Sequence, residues 1–200
     1  SLHFAKAQSS LQFIELWEHS LFPRNPYTVE YDQLNRDYFY VANDVGGLLI
    51  FQIEEDNNHT LIKIFDIENW DSLQVMNVFQ RDHYLFLALG SFFNDKGQDF
   101  GLAIIDVTDP EDAHISDIWT HGQLKKGSAI AIANESYAFL GAMNDGVYIF
   151  DIRDPSNISQ ISHILPNRDF PVQNPNSIQE PNARGMALKD DYLFLCYDAG

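Results

Sequence analysis

A single cysteine, Cys196, stands among the 200 residues, so no internal disulfide can form. It lies in the apolar run Leu193-Phe194-Leu195-Cys196, which predicts a buried, inert thiol. No apolar stretch approaches the length of a membrane span. No leader with a basic start and an apolar middle is present, and Ser1-Leu2-His3 does not read as a natural start, which leaves export open. Positive charge is scarce: 12 Lys and Arg face 29 Asp and Glu, for a net charge of −17. A surface that acidic repels nucleic-acid phosphates and anionic lipid, so nucleic acid is not an expected partner. Also missing are a Gly-x-Ser-x-Gly elbow, a His-Glu-x-x-His pair, a Cys-x-x-Cys pair and a P-loop. Asp95-Lys96-Gly97-Gln98-Asp99 hints at a calcium loop but departs from the EF-hand pattern at its third and sixth positions, so neither a metal nor a cofactor is expected. Three Asn-x-Ser/Thr triplets, at Asn58, Asn134 and Asn157, are too short a motif to carry a conclusion.

What the chain does have is apolar and aromatic residues, 45% and 14% of the total, enough for a real core. They are arranged as a repeat. An aromatic strand is followed by a turn with Asn, Asp or Gly, then a second apolar strand and an acidic stop. The first copy runs Tyr38-Phe39-Tyr40-Val41-Ala42, Asn43-Asp44, then Gly47 to Ile53. The second runs Tyr84-Leu85-Phe86-Leu87-Ala88, Asn94-Asp95, then Gly101 to Val107 and Asp109-Pro110. The third runs Tyr137-Ala138-Phe139-Leu140-Gly141, Asn144-Asp145, then Gly146 to Ile152 and Asp154-Pro155. A fourth begins at Tyr192.

The leading tyrosines are 46, 53 and 55 residues apart, the size of one four-stranded propeller blade. Strands rather than helices follow from β-branched and aromatic enrichment in short runs bounded by turn residues. Asn144-Asp145-Gly146 predicts a tight hairpin, since Asn and Gly tolerate positive φ. Strands apolar on both faces fit a sheet sandwiched between other sheets. Innermost strands are expected at Tyr27 to Tyr31, Val75 to Phe79, Ala129 to Ala133 and Gly185 to Leu188. Outer strands are expected at 61–65, 115–121 and 158–163.

The expected architecture is therefore all-β, a β-propeller of four-stranded antiparallel blades forming one domain over 1–200. It is an incomplete arc of about three full blades and two part-blades. Residues 11–21 form the outer strand of a preceding or closing blade, 27–67, 74–121 and 128–165 form blades, and 185–200 form the first half of another. Propellers usually have 4–8 blades, so further blades or a second chain are expected to close the ring.

The segments Leu102-Ala103-Ile104-Ile105-Asp106-Val107-Thr108-Asp109-Pro110 and Val147-Tyr148-Ile149-Phe150-Asp151-Ile152-Arg153-Asp154-Pro155 resemble the LVIVD repeat family. The resemblance extends from about residue 11 onward. Copy one departs from it, with Gln52 in place of the Asp and no Pro after it. The resemblance implies a bacterial β-propeller, exported to the cell surface or periplasm, with no agreed catalytic residues to carry over.

In a propeller, the loops from outer strand to next inner strand and from second to third strand share one face. The two longest loops, Ser91 to Phe100 and Pro166 to Arg184, belong to these classes. They read either as a binding face with the second loop as lid, or as insertions without a role. Six basic residues fall on this face: Arg24, Lys96, Lys125, Lys126, Arg168 and Arg184. Seven acidic residues accompany them, Asp44, Asp95, Asp99, Asp145, Asp169, Glu180 and Asp198, so the face is less acidic than the rest and suits an anionic ligand such as a carboxylate or sugar acid. Lys96, Lys125, Lys126, Arg168, Phe170 and Arg184 are the candidate ligand-binding residues; no catalytic residue is nominated. Asp106 and Asp151 share a register, which marks them as turn formers, and His19, His121 and His163 likewise read as structural. Two functions remain. One is a non-catalytic propeller that binds a protein or carbohydrate. The other is a hydrolase- or lyase-type propeller enzyme whose channel site is completed by blades outside this chain.

Overall fold

In the computed structural model the described residues are 26–55, 58–90, 98–125, 127–167 and 181–198. They form an all-β structure of fourteen strands in four antiparallel sheets. The first sheet is β1 (Thr28–Tyr31), β2 (Tyr38–Ala42), β3 (Leu48–Ile53) and β4 (His59–Phe65). The second is β5 (Val75–Arg81), β6 (Tyr84–Leu89), β7 (Gln98–Asp106) and β8 (His114–Lys125). The third is β9 (Ile130–Ala133), β10 (Tyr137–Gly141), β11 (Val147–Asp151) and β12 (Ser159–Ile164). The fourth is a hairpin of β13 (Asn182–Lys189) and β14 (Tyr192–Asp198). Each sheet is a meander in chain order, so the expected inner and outer strands of the first three sheets fall at their two edges. The strand expected at 11–21 lies outside the described residues. Among the described residues no helix is long and apolar enough to cross a membrane.

The sheets pack face to face in chain order. Tyr40, Ala42, Leu48 and Ile50 of the first bury against Val78, Leu85, Leu87 and Ile105 of the second. The other face of the second, Phe86, Phe100, Leu102 and Ile104, buries against Leu140, Tyr148 and Phe150 of the third. Ile132, Phe139 and Val147 of the third then meet Ala183, Met186, Leu193 and Leu195 of the fourth. This alternation puts both faces of a middle sheet in a core, which is why β6 is apolar at every position. First strands also touch from sheet to sheet, β1 on β5, β5 on β9 and β9 on β13. Side-chain oxygens join two of these seams: Thr28 Oγ1 accepts from Val78 N at 2.9 Å, and Asn77 Oδ1 accepts from Ala131 N at 2.9 Å.

The repeated glycines have one cause. A Cβ on Gly47, Gly101 or Gly146 would overlap the carbonyl oxygen of Phe65, Trp119 or Ile164 on the neighbouring outer strand. Gly47 and Gly146 also hold φ of 78° and 79°, which a side chain resists. The expected turn chemistry at 144–146 is corrected in part. The positive φ values fall on Met143 (48°) and Gly146, not on Asn144, because five residues, 142–146, separate the paired Gly141 and Val147. It closes through Asp145 N to Ala142 O and Gly146 N to Met143 O. Asp44 holds the same conformation in the first sheet. Both left-handed residues reach the next sheet, with Asp44 bridging Val75 and Met143 bridging Ala183.

Outer strands share a device as well. β4, β8 and β12 each carry a bulge at the same register, leaving Ile62, Ser116 and Ile161 without a partner opposite. Such bulges twist an edge away from further pairing.

Cys196 is exposed, which corrects the expectation of a buried thiol. It shares a face of β14 with Tyr192 (70% exposed) and Phe194 (57%), and among the described residues no sheet packs there. An apolar run marks a strand but does not say which of its faces is covered.

Candidate binding site

One residue from the start of each first strand defines a common ring. Ala42, Ala88, Gly141 and Cys196 are equivalent small residues on the second strands, and they pair with Thr28, Asn77, Ile130 and Gly185. The residues just before those partners are Tyr27, Met76, Ala129 and Arg184. These four, with Thr28, line a cavity of about 260 Å³. Met76 and Arg184 are the extra residues of bulges in β5 and β13, where the register slips between Val75 and Asn77 and between Ala183 and Gly185. A bulge re-aims a side chain, and here it does so at two equivalent places.

The ring is chemically uneven. Tyr27 supplies a phenol, Met76 a thioether, Ala129 a methyl group and Arg184 a cation. Burial, and then the nearby Asp44 carboxylate, push the Tyr27 hydroxyl above its ordinary range, so it stays protonated. Thr28 already holds the Val78 N–H. Among the described residues Arg184 has no hydrogen-bonding or ionic partner, and it is exposed. Among the described residues that line the cavity there is no carboxylate, imidazole or thiol.

Of the six residues nominated from sequence, Arg184 is the one the structure places at this cavity. Lys125 ends β8, paired with Gln98, at the same end of its sheet. Lys96, Lys126, Arg168 and Phe170 lie outside the described residues, as does most of the two long loops. Tyr27, Thr28, Met76 and Ala129 were missed. Met76, Ala129 and Arg184 each stand eight residues before their repeat tyrosine, so their equivalence was present in the spacing. A search for matching residues passes over a position where all copies differ.

Acidic residues assigned to this end are partly committed to structure. Asp145 accepts from the Tyr148 hydroxyl at 2.7 Å, and His163 Nε2 stands 2.5 Å from the Asp145 carbonyl while its ring stacks on Tyr148 at 4.1 Å. His121 stacks on Phe100 at 5.4 Å. His121 and His163 are therefore packing elements between the second and third sheets, and among the described residues no group of His, Cys, Asp or Glu is arranged to hold a metal ion.

The opposite end is regular. Asp106 accepts from Thr108 N at 2.7 Å and Asp151 from Arg153 N at 3.1 Å, the turn-forming role expected of them. Asp109 and Asp154 repeat the device two residues on, to Glu111 N and Ser156 N. A hollow of about 410 Å³ there is lined by Asp151, Arg153, Asp154, Asn157 and Ser159, with Arg153 already paired to Asp151.

One buried polar cluster also sits at that end. The Asp32 carboxylate, fully enclosed, accepts from Arg36 Nη2 (2.6 Å), the Tyr40 hydroxyl (2.7 Å) and Gln80 Nε2 (3.2 Å). Burial alone would raise its pKa, but these hydrogen bonds, Arg36 first, outweigh it and bring the group down to about 2. Burial, with Asp32 beside it, pushes the Tyr40 hydroxyl well above its usual range. Arg36 Nη1 continues to the carbonyls of Val107 and Thr108 at 2.9 Å each, so the cluster clasps the first sheet to the second.

No protein-family model matches this chain, and no curated protein matches it.

Proposed function

We propose that the chain is a non-catalytic binding module, a β-propeller arc of the LVIVD-repeat type from an exported bacterial protein. In this reading the four sheets are blades, their touching first strands line a central axis, and the ligand sits at the end where those strands begin. The observation that carries it is the ring of Tyr27, Met76, Ala129 and Arg184 around one cavity. Where a repeat is regular, packing explains it; where equivalent positions diverge around a cavity, ligand recognition explains it better. The described lining offers a phenol, a hydroxyl, a thioether, a methyl group and a guanidinium, a mixed apolar and polar set suited to holding a ligand. A protein or carbohydrate partner is the proposed ligand of this face.

The chain carries three methionines, Met76, Met143 and Met186, and these make a direct test. With ¹³C-methyl methionine labelling, oligosaccharides and polypeptides can be screened by NMR. A true ligand shifts the Met76 methyl most, because it lines the cavity, while Met186 in the seam between third and fourth sheets moves least. A ligand that binds and leaves Met76 unmoved removes this site.

A further inference from the structure

We infer that the ring cavity takes a small monocarboxylate with a compact apolar body, held by Arg184. This rests on the proposed binding face, and at the ring cavity it puts a small acid in place of the protein or carbohydrate partner. Three observations select that class.

The first is charge. Arg184 stands at the cavity with no hydrogen-bonding or ionic partner among the described residues, in a chain of net charge −17. Its guanidinium presents a planar fork that matches a carboxylate with two parallel N–H···O bonds. Among the described lining residues Arg184 is the one cation, and Asp44 lies close enough to Tyr27 to raise its hydroxyl. A second negative charge on the ligand would meet that carboxylate, so a monoanion is favoured over a dianion.

The second is order along the ring. β1 touches β5, β5 touches β9 and β9 touches β13. Arg184 and Tyr27 therefore stand at the two ends of the row, with Ala129 and Met76 between. A ligand whose carboxylate faces Arg184 lays its body over the Ala129 methyl and the Met76 thioether and meets the Tyr27 ring at its far end. Thioether and aromatic surfaces suit an apolar or aromatic body. A sugar acid would bring hydroxyls against Met76 and Ala129 side chains that offer them no partner, at a cost of about 1–3 kcal/mol for each hydroxyl left unsatisfied.

The third is size. The cavity of about 260 Å³ equals about nine water volumes, room for a small molecule with on the order of ten non-hydrogen atoms rather than for a polymer. Phenylacetate has that size and that charge.

The test titrates phenylacetate into the 200-residue chain and follows the Met76 methyl by NMR, beside calorimetry. The matched arms are 2-phenylethanol (same body, no charge), glucuronate (same charge, hydroxylated body) and inorganic phosphate. Phenylacetate is expected to bind at least tenfold more tightly than each of the other three. R184Q should lower phenylacetate affinity at least tenfold, and R184K should restore part of it, since a lysine keeps the charge and loses the fork. Far-UV circular dichroism and the thermal midpoint confirm that both variants fold. Equal binding of 2-phenylethanol, tighter binding of glucuronate or phosphate, or unchanged phenylacetate affinity in R184Q overturns the carboxylate assignment. Glucuronate or a neutral sugar that shifts Met76 while phenylacetate does not would sink this inference and leave the binding face standing. An unmoved Met76 with every ligand tried sinks both.

Discussion

Two sets of equivalent positions lie at the same end of the sheets and have opposite characters. At the outer rim, Gly47, Gly101 and Gly146 are identical, each passing under a carbonyl oxygen of the neighbouring outer strand. At the inner ring, Tyr27, Met76, Ala129 and Arg184 share nothing but their register. Both sets sit at strand starts on one chain, under the same pressure to fold. The rim is uniform because backbone meets backbone there and a single Cβ has nowhere to go. The ring is free to vary because its side chains border a cavity rather than a neighbouring backbone, even where, as at Met76, the side chain is almost wholly buried. The difference separates what holds the sheets from what the sheets present.

The largest expected effect belongs to the rim. Gly146→Ala puts a Cβ onto the Ile164 carbonyl oxygen at a φ of 79°. We expect a loss of roughly 3–4 kcal/mol, measured as a fall in the urea midpoint. Gly122→Ala is the control, because its nearest neighbour would be Asp99 Oδ1 at 3.8 Å and its cost should stay within about 0.5 kcal/mol. A mild Gly146→Ala would mean that the rim glycines are not there for packing.

Asp32 tests whether a feature can be unrepeated and still structural. Its carboxyl is held at about 2 by Arg36, Tyr40 and Gln80 against the opposing effect of burial. A depressed folded pKa stabilises above the ordinary unfolded value near 4 and loses that contribution as pH falls toward about 2. The contribution is on the order of 2 kcal/mol at neutral pH. Asp32→Asn should therefore lower stability by about that much at pH 7. It should also flatten the acid limb between about pH 4 and pH 2. Equilibrium unfolding across that range measures both. An unchanged acid limb in the variant would assign the acid sensitivity to other carboxylates.

Turn aspartates come next. Asp106→Ala removes an acceptor from Thr108 N and should cost about 1 kcal/mol, with Asp151→Ala similar, while affinity for any ring ligand stays unchanged. Unequal losses would show that the two equivalent turns do not carry equal weight.

Much of the rim and the turns was legible in the sequence, since it repeats. Tyr38, Tyr84, Tyr137 and Tyr192 all begin second strands of their sheets, and the strand expected at Val75 to Phe79 is β5, extended to Arg81. The turn role of Asp106 and Asp151 followed from their shared register alone. Three things were not legible. A bulge leaves no mark in composition, so the turning of Met76 and Arg184 toward one cavity was invisible. The left-handed residue of a longer loop is chosen by where the chain must reach, so it fell on Met143, which bridges Ala183, rather than on Asn144. Exposure of Cys196 depends on what covers a face, which is a property of neighbours and not of the strand.

The smallest expected effect decides the comparison from the other side. If the ring is presentation rather than packing, Arg184→Gln changes stability by less than about 0.5 kcal/mol, since an exposed cation with no partner among the described residues contributes little. With no ion pair to screen among the described residues, the difference between wild type and variant stays flat as ionic strength rises. Met76→Leu should fall in the same class, within about 1.5 kcal/mol, because the swap conserves volume. Paired urea titrations at low and high salt measure both variants. A loss of 2 kcal/mol or more in Arg184→Gln would make the guanidinium part of the fold, and the diversity of the ring would then record four different packing solutions at four equivalent positions rather than one site for a ligand.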